Sequence, residues 1–218
     1  MAIVEFPAVE LADEHGLLAL GGDLEIDSLL LAYSQGIFPW PISREYPLAW
    51  FSPDPRGILH FDNLVINKTL KKFLKKNPFE IKFNTNFEKV INMCARAKRP
   101  EGQGTWITEE IINSYINLHK NGYAYCVEAY LEEELVGGLY GVCINNFYSG
   151  ESMFYLKDNA SKVALLSLMY KLKTLGIYWL DTQMVTPIVK SLGGMEIPRE
   201  KYLEMLNQSL GALSSENA

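Results

Sequence analysis

The chain has 218 residues, of which 48% are hydrophobic and 21% are charged. This composition is that of an ordinary globular protein with enough apolar side chains for a full core. The formal net charge of −6 gives no overall attraction to nucleic acid, so any such binding must come from a local basic surface.

The cysteines and the amino terminus indicate a compartment. Cys94, Cys126 and Cys143 are far apart and odd in number, which predicts neither a disulfide framework nor a zinc ribbon. Free thiols are typical of a reducing compartment. The first residues lack the basic start and long apolar run of a signal peptide, and no apolar stretch is long enough to cross a bilayer. We expect a cytoplasmic protein.

The first hundred residues contain three predicted helices and one predicted strand. The helices cover residues 27–34, with Asp27 as the cap, residues 67–77, opened by Asn67, and residues 87–97; the strand covers residues 79–84. Two aromatic runs spaced by prolines, at residues 37–41 and 50–56, cannot continue a helix. They predict ordered loops, in which Trp40 and Trp50 can simply fill the junction of two subdomains.

The loop at residues 98–104 predicts a boundary between an N-terminal α/β domain with a basic helix, residues 1–100, and a second domain, residues 101–218. The second domain is predicted to contain a helix capped by Thr108, three strands over residues 123–130, 135–144 and 147–154, a long helix over residues 161–175, a strand over residues 178–183, and two further helices. Gly137, Gly138 and Gly141 predict a bulge or a close backbone approach. The long helix is predicted to have one apolar face, formed by Leu165, Leu168, Met169, Leu172 and Leu175.

This order of helix, antiparallel meander, long helix, strand and helix predicts an α+β fold. It is similar to the acyltransferase fold of the GCN5-related N-acetyltransferases (GNAT-like), although a fold alone does not give function. Those enzymes bind the pyrophosphate of coenzyme A with a glycine-rich turn before the long helix. Here that place reads Tyr155-Leu156-Lys157-Asp158-Asn159-Ala160 and holds no glycine. We therefore expect no coenzyme A donor.

Five lysines of the second predicted helix lie within nine residues and form a quarter of all Lys and Arg: Lys68, Lys71, Lys72, Lys75 and Lys76. On a helix they span an arc of about 140°, opposite Leu70, Phe73 and Leu74. Such a run is usually a solvated face. In an acidic protein it can instead follow a phosphate backbone, and both interpretations stay open at this point.

Two polar side chains, Asp181 and Gln183, follow the apolar run at residues 177–180. Asp181 and Gln183 are two apart on a predicted strand, so they point to the same side. Asp181 can then accept a hydrogen bond from the side-chain amide of Gln183, which turns the amide oxygen towards a cleft where it can orient an amine. By pattern alone, a solvated strand end is the simpler interpretation.

Glu151 lies between aromatic and apolar residues. Burying a carboxylate is costly unless it finds partners, and Lys162 or Arg56 can supply a structural pairing. Two such polar places suggest a polar reaction in a dry pocket. The three histidines, His15, His60 and His119, have no catalytic spacing, so we expect no triad and no metal site.

Seven motifs occur in order along the chain: Gly36-Ile37-Phe38-Pro39-Trp40, Trp50-Phe51-Ser52-Pro53-Asp54-Pro55-Arg56, Gly104-Thr105-Trp106-Ile107-Thr108, Gly137-Gly138-Leu139-Tyr140-Gly141-Val142, Gly150-Glu151-Ser152-Met153-Phe154, Ala160-Ser161-Lys162 and Asp181-Thr182-Gln183. Each motif alone is weak. Together they resemble the leucyl/phenylalanyl-tRNA–protein transferases of bacteria, over nearly the whole chain from about Gly16 to Leu206.

The resemblance implies an enzyme of the N-degron pathway, which moves leucine or phenylalanine from aminoacyl-tRNA to the N-terminal Lys or Arg of an acceptor protein without a metal or coenzyme. It implies active-site positions at Asp181, Gln183 and Glu151, with Gln183 at the reacting amine and Asp181 supporting it. It further implies aminoacyl-adenosine contacts at Tyr33, Trp40 and Trp106, an amino-acid side-chain pocket at Leu139, Tyr148 and Met153, and acceptor-stem contacts at the five lysines.

The chain departs from the family pattern in a few places. It has Tyr123-Ala124-Tyr125-Cys126 where many members have His-Ala-His-Ser, and Thr186, Ile188 and Gly194 where Asn, His and Ala are frequent. These departures affect the expected acceptor preference and the fine tRNA contacts. Two alternatives remain: a non-catalytic RNA binder with the same fold, and a peptidoglycan-type aminoacyltransferase with a different acceptor. Nothing in the sequence demands a dimer, so we expect a monomer.

Overall fold

The computed structural model describes residues 2–42, 46–97 and 105–211. The helices are α1 Ile26–Ser34, α2 Lys68–Leu74, α3 Phe87–Arg96, α4 Glu109–Lys120, α5 Ala160–Thr174, α6 Pro187–Ser191 and α7 Arg199–Gly211. The strands are β1 Leu17–Leu20, β2 Phe38–Pro39, β3 Ala49–Phe51, β4 Arg56–His60, β5 Glu80–Phe83, β6 Ala124–Leu131, β7 Glu134–Ile144, β8 Phe147–Tyr155, β9 Trp179–Gln183 and β10 Met195–Ile197. Short 3-10 turns lie at Val9–Leu11 and Phe61–Asn63. The predicted α+β class is confirmed, and so is the predicted element order after Thr108, except that the prediction lacked strand β10 between α6 and α7.

The strands form two sheets. The small sheet has the order β1-β3-β2, and the large sheet has the order β10-β4-β9-β8-β7-β6-β5. Neighbouring strands of the large sheet are antiparallel, except β8 and β9, which run parallel and pair through Ser149 and Asp181. Asp181 therefore lies in the middle of the large sheet, at the point where two parallel strands meet.

The large sheet draws on both sides of the predicted domain boundary. Strands β4 and β5 precede residue 98, and they pair with β9 and β6 respectively. The boundary itself, near residue 100, lies outside the described residues. The division of the chain at this point stays a prediction.

Helix starts follow local side-chain capping. The side chain of Asn67 accepts a hydrogen bond from the Leu70 N–H at 2.8 Å, and the Thr108 hydroxyl accepts one from the Ile111 N–H at 3.3 Å, as predicted. The prediction of Asp27 as a cap is wrong, because α1 begins one residue earlier, at Ile26. Asp27 instead lies in the first turn, where a carboxylate is stabilised by the positive end of the helix dipole.

The aromatic runs near Trp40 and Trp50 are loops only in part, because residues 38–39 form β2, residues 50–51 belong to β3 and residue 56 begins β4, while residues 40–41 and 52–55 are irregular as predicted. Phe38 and Pro39 pair with Phe51 and Trp50 across these strands. Trp50 is 1% exposed, and its indole N–H donates to the Gly21 carbonyl at 2.9 Å. Strands of two or three residues are too short to show a period-2 pattern, so the prolines alone determined the prediction.

The two faces of the large sheet carry different helices. Helix α5 packs on one face through Leu165, Leu168, Met169 and Leu172, together with Leu70 of α2. The predicted apolar face of α5 is wrong at its last residue, since Leu175 follows the helix and is 58% exposed. Side chains of α1, α3, α4 and α7 pack on the opposite face.

A bulge interrupts the pairing of β7 with β8. The paired residues change from Tyr140 with Ser152 to Gly141 with Gly150, which leaves Glu151 as the extra residue. A Cβ atom on Gly141 would lie 2.2 Å from the Ser149 carbonyl oxygen, so only glycine fits there. The bulge or close approach predicted from the glycines of β7 is confirmed, and it takes Glu151 out of the regular ladder.

Candidate active site

Asp181 is the buried centre of a polar network and is 0% exposed. Its two carboxylate oxygens accept hydrogen bonds from Nε and Nη2 of Arg56, at 2.9 and 2.7 Å. This fork geometry is the strongest form of carboxylate pairing. Burial alone would lower the pKa of Arg56, but the Asp181 carboxylate together with Tyr202 and Glu151 offsets this, so the pKa is raised. Arg56 therefore pairs with Asp181 and not with Glu151, the partner considered from the sequence.

Arg56 is itself held on all sides and is 1% exposed. Its Nη1 donates to the Gly36 carbonyl at 2.9 Å. The guanidinium carbon lies 4.8 Å from the ring centroid of Phe38 and 4.4 Å from that of Tyr202. The Tyr202 hydroxyl also donates to Asp181 Oδ2 at 3.0 Å. The ion pair is thus enclosed by strand β2 and by α7, the C-terminal helix.

Gln183 ends strand β9 in a left-handed backbone conformation, with φ of 61°. Its main-chain N–H donates to Asp181 Oδ1 at 2.8 Å, while its side-chain Nε2 donates to Glu151 Oε1 at 3.0 Å. The prediction that Asp181 accepts from the side-chain amide is therefore wrong. The left-handed residue breaks the alternation of the strand, so the side chain turns towards β8 and the main chain towards Asp181.

Gly57 of β4 makes room for this turn. It is paired with Gln183 across the strands. A Cβ atom at Gly57 would lie 2.7 Å from the carbonyl carbon of Met184 and 2.9 Å from Thr182 Oγ1. Such distances essentially never occur, so a side chain here would displace the backbone on which Gln183 sits.

Glu151, the bulged residue of β8, is partly buried. Besides Gln183, it accepts a hydrogen bond from the Tyr115 hydroxyl at 3.3 Å, and the Tyr33 hydroxyl contacts both Tyr115 and Glu151. Burial raises the pKa of Glu151 to about 7; the Tyr33 hydrogen bond opposes the rise and the Asp181 charge adds to it. Glu151 can therefore take up or release a proton near neutral pH.

Ser149 connects the two carboxylates. Its hydroxyl lies 3.3 Å from Asp181 Oδ2 and 3.4 Å from Glu151 Oε1. It also lies 3.5 Å from the amide nitrogen of Gln183. The three residues that the resemblance implies at the reaction centre therefore belong to one continuous network.

Trp40 and Trp106 stack on each other at the edge of the apolar cluster that contains Tyr33. Their ring centroids are 5.3 Å apart and their planes differ by 27°. Both indoles are partly exposed. Of the three residues expected at the aminoacyl-adenosine, the structure stacks Trp40 on Trp106 and buries Tyr33 in the same apolar cluster, where its hydroxyl contacts Tyr115 and Glu151. A half-exposed aromatic pair offers a surface on which a base can stack.

The three residues expected to line the amino-acid pocket lie on the opposite face of the sheet. Leu139 pairs with Met153 across β7 and β8. Leu139, Tyr148 and Met153 belong to the apolar cluster that packs against α5. The Tyr148 hydroxyl donates to the Tyr125 carbonyl at 3.2 Å. The structure therefore groups these three side chains, but apart from Tyr33 and the tryptophan pair.

The basic face of α2 is exposed to solvent. All five lysines are exposed: Lys68, Lys71, Lys72, Lys75 and Lys76. On the other side of the helix Leu70 is 5% exposed and packs towards α5. The helix ends at Leu74, earlier than predicted, so the last two lysines follow it.

Three network residues were missed by sequence reasoning, Tyr115, Ser149 and Tyr202, and Arg56 was considered only as a partner of Glu151. Arg56 closes one of the quoted motifs and Ser149 directly precedes another, so adjacency to a motif was a usable signal for these two. Tyr115 and Tyr202 lie inside amphipathic helices. An aromatic residue on a buried helix face is typical of core packing, so neither carried a distinguishing signal.

Cys94, Cys126 and Cys143 all lie within the described residues and are not joined by disulfide bonds. Across residues 2–42, 46–97 and 105–211, no group of three or more His, Cys, Asp or Glu side chains is arranged to hold a metal ion. Within the same described ranges, no helix has the length and apolar character required to span a membrane.

Two family matches cover most of the chain. The family described as leucyl/phenylalanyl-tRNA protein transferase matches residues 58–207, and the N-terminal domain of that transferase matches residues 22–54. A leucyl/phenylalanyl-tRNA–protein transferase from Pseudoalteromonas atlantica is 48% identical over 204 residues, which cover 94% of this chain and 86% of the relative. A relative of the same name from Flavobacterium johnsoniae is 46% identical over 201 residues, covering 92% and 94%.

Among solved structures, a GCN5-related N-acetyltransferase from Kribbella flavida is similar with a TM-score of 0.42 and 10% identity, over 77% of this chain and 59% of that chain. At this TM-score the likeness supports no statement about function. The class of protein follows instead from the family matches and from the sequence identity to the named relatives, which define a transferase. More specifically, the chain belongs to the leucyl/phenylalanyl-tRNA protein transferase family.

Proposed function

We propose that this enzyme transfers leucine or phenylalanine from aminoacyl-tRNA to the N-terminal Lys or Arg of acceptor proteins, in the cytoplasm. Family membership supports the reaction class. The observation that carries the proposal is the partly buried contact between the Gln183 amide and the Glu151 carboxylate, 3.0 Å apart, beside the parallel pairing of β8 and β9. An amide and a carboxyl with a pKa of about 7 suit the deprotonation of an attacking amine.

The reaction forms one bond and breaks one. The α-amine of the acceptor attacks the ester carbonyl carbon of the aminoacyl-tRNA, a C–N bond forms, and the C–O bond to the terminal ribose breaks. One proton leaves the amine and one proton reaches the departing ribose oxygen. Because the ester is already activated, the protein must mainly hold the two reactants together and manage this proton.

Gln183 and Glu151 divide this work. The amide nitrogen of Gln183 donates to Glu151, so its amide oxygen is the atom that can accept a hydrogen bond from the amine and orient its lone pair. Glu151 in its ionised form takes the proton and then returns it to the ribose oxygen. Asp181 is fully engaged by Arg56, which makes Glu151 the carboxylate that handles the proton and attracts a basic acceptor terminus.

The donor substrate is held by apolar surfaces. The terminal adenine stacks on the surface of Trp40 and Trp106, whose planes differ by 27°, and the buried Tyr33 hydroxyl supports Glu151. Leu139, Tyr148 and Met153 lie on the opposite face of the sheet and supply an apolar pocket for a leucine or phenylalanine side chain, which enters between β8 and β9 beside their pairing at Ser149 and Asp181. Exclusion of β-branched residues then depends on shape, which is worth about 1–3 kcal/mol per methylene.

The five exposed lysines of α2 and its C-terminal end hold the tRNA acceptor stem. They form a dense positive face on a protein whose net charge is −6. Phosphate contacts of this kind release counterions, so binding through them weakens as salt increases. The apolar side of α2 packs on the sheet, which fixes the orientation of the basic side.

A transfer assay with separately charged tRNAs tests the proposal. Leu-tRNA or Phe-tRNA is incubated with peptides that begin with Arg, Lys or Ala, and the peptide mass is measured. We expect one added Leu or Phe on the Arg and Lys peptides only. Absence of product with folded protein and intact charged tRNA would overturn the proposal. Salt-dependent tRNA binding without transfer would instead indicate an RNA binder, and transfer only to a cell-wall precursor would indicate the peptidoglycan-type activity.

A further inference from the structure

The two carboxylates of the network lie in different environments. Asp181 is 0% exposed and accepts from Arg56, Tyr202 and the main-chain N–H of Gln183. Glu151 is partly exposed and receives its hydrogen bonds from uncharged groups. Asp181 is therefore committed to protein contacts, and only Glu151 can meet a substrate.

The contacts of Asp181 converge on the backbone of Gln183. Oδ1 accepts from Arg56 Nε at 2.9 Å and from the Gln183 N–H at 2.8 Å. A left-handed conformation at a residue other than glycine costs of order 1–3 kcal/mol and persists only where surrounding contacts fix it. At Gln183, the contact that fixes the conformation is the hydrogen bond from its main-chain N–H to the Asp181 carboxylate.

Arg56 and Tyr202 fix the carboxylate in turn. Arg56 is the first residue of β4. It lies between the two ranges that match the family, residues 22–54 and 58–207. Tyr202 comes from α7, and its hydroxyl lies 3.0 Å from Asp181 Oδ2 and 3.3 Å from Arg56 Nη2. Three distant parts of the chain thus meet at one carboxylate that no substrate needs to touch.

We propose that Arg56 and Tyr202 are positioning residues for the transfer reaction, which act through Asp181 to keep the Gln183 backbone left-handed and its side-chain amide on Glu151. This inference rests on the proposed function. It assigns to α7 a part in the active site, although α7 contributes no group that touches the substrate.

The arrangement has an electrostatic consequence at Glu151. Among the described residues, the charged and titratable groups that interact electrostatically with Glu151 are Tyr33 of α1, Tyr115 of α4, Tyr148 of β8, Asp181 of β9 and Arg56 of β4. Asp181 raises the pKa of Glu151, and the positive charge of Arg56 counteracts it. Removal of the Arg56 charge therefore raises the pKa of Glu151 further, whereas removal of the Tyr202 hydroxyl leaves the local charge unchanged.

The test compares Tyr202→Phe, Arg56→Lys and Arg56→Gln with Tyr170→Phe, a change at a 52% exposed tyrosine of α5. We expect Tyr202→Phe to lower kcat about tenfold with KM for aminoacyl-tRNA unchanged, because one hydrogen bond to a charged group is lost. Arg56→Lys keeps the charge but loses the fork, and we expect a larger loss of kcat. Tyr170→Phe should match the wild-type protein.

A second measurement does not depend on catalysis. Proteins labelled with ¹³C at the glutamate carboxyl carbon are titrated by NMR, and Glu151 is assigned by comparison with Glu151→Gln. We expect Arg56→Gln to raise the pKa of Glu151 and Tyr202→Phe to leave it unchanged.

Wild-type kcat in folded Tyr202→Phe, or an unchanged Glu151 pKa in folded Arg56→Gln, would overturn the inference. If Arg56→Gln does not fold, the Tyr202→Phe and Arg56→Lys kinetics decide alone. Failure of the wild-type protein to transfer any amino acid would count against the proposed function, while the NMR titration would still test the electrostatic link between Arg56 and Glu151.

Discussion

Arg56 and Asp181 are 125 positions apart in sequence and form a bidentate ion pair at 2.7 and 2.9 Å inside the large sheet. Breaking a buried pair by removal of one partner typically costs about 3–5 kcal/mol, because the other charge is left buried and unpaired. The pair therefore makes the site dependent on the correct docking of β4 beside β9.

Replacement of Gln183 tests the reaction centre. We expect Gln183→Ala to lower kcat at least about 100-fold, since the amide that orients the amine is lost. The affinity for tRNA should remain within about twofold, because the lysine face of α2 is untouched. Single-turnover kinetics and a filter-binding titration measure the two quantities separately. Equal losses of transfer and of tRNA binding would assign Gln183 a binding role.

The pH dependence of transfer should report Glu151. Its ionised form is the proton acceptor, and its pKa is raised to about 7. We therefore expect kcat/KM to increase as the pH rises through about 7 and to level off above it. Glu151→Gln should have a low rate without this limb. A limb of the same midpoint in Glu151→Gln would show that another group titrates there.

The ionised form of Glu151 should also lower the free energy of unfolding at neutral and higher pH. A carboxyl whose pKa is higher in the folded protein than in the unfolded chain binds its proton more tightly when folded, so the free energy of unfolding falls as the pH rises through the interval up to about 7. We expect Glu151→Gln to be more stable than the wild-type protein by about 1–2 kcal/mol at pH about 8, and to gain little at pH about 4.5. Urea unfolding at both pH values measures the difference, and an equal gain at both would contradict the pKa shift.

The lysine face can be examined by charge reversal. The triple change of Lys71, Lys72 and Lys75 to Glu should weaken tRNA binding and make its salt dependence shallower, by up to about 0.9 in the logarithmic slope for each phosphate that is no longer neutralised. The matched control reverses three exposed lysines elsewhere: Lys171, Lys173 and Lys190. An unchanged slope in the α2 variant, or the same effect in the control, would assign the α2 lysines to plain solvation.

Gly57→Ala tests the space behind Gln183. The added Cβ would meet the Met184 carbonyl carbon at 2.7 Å, so the turn after β9 must shift. We expect a loss of about 1–3 kcal/mol in the free energy of unfolding and a marked loss of transfer. Gly211→Ala is the control, because a Cβ there meets no atom within 4 Å. Wild-type activity in Gly57→Ala would show that the Gln183 conformation tolerates displacement.

Much of the second half of the fold follows from local pattern. The strands β6, β7 and β8 are separated by short polar turns at residues 132–133 and 145–146, α5 carries a helical apolar face, and Thr108 caps α4, so each element could be predicted from a short window. The strands β2 and β10 could not be predicted in this way, because two or three residues carry no period and their pairing depends on distant partners. The position of β4 between β9 and β10 likewise depends on contacts distant in sequence.

The candidate site shows the same limit. The sequence placed Asp181, Gln183 and Glu151 near one another through separate motifs, and the structure joins them in one network. The sequence could not assign the hydrogen-bond partners of these residues. The rule that side chains two apart on a strand point to the same side assumes an extended backbone, and Gln183 is left-handed. The charge on Arg56 was visible, but its choice of Asp181 over Glu151 depends on the register of β4 against β9.

The position of Tyr202 has a consequence for biosynthesis. Arg56, Glu151 and Asp181 are all translated before α7, and the hydroxyl that completes the Asp181 contacts is supplied by that helix. A nascent chain that has already paired its central strands would still lack this hydrogen bond. Transfer activity should therefore arise late in synthesis, after α7 has left the ribosome. Chains that terminate before α7 should lack the Tyr202 hydrogen bond and the activity that depends on it.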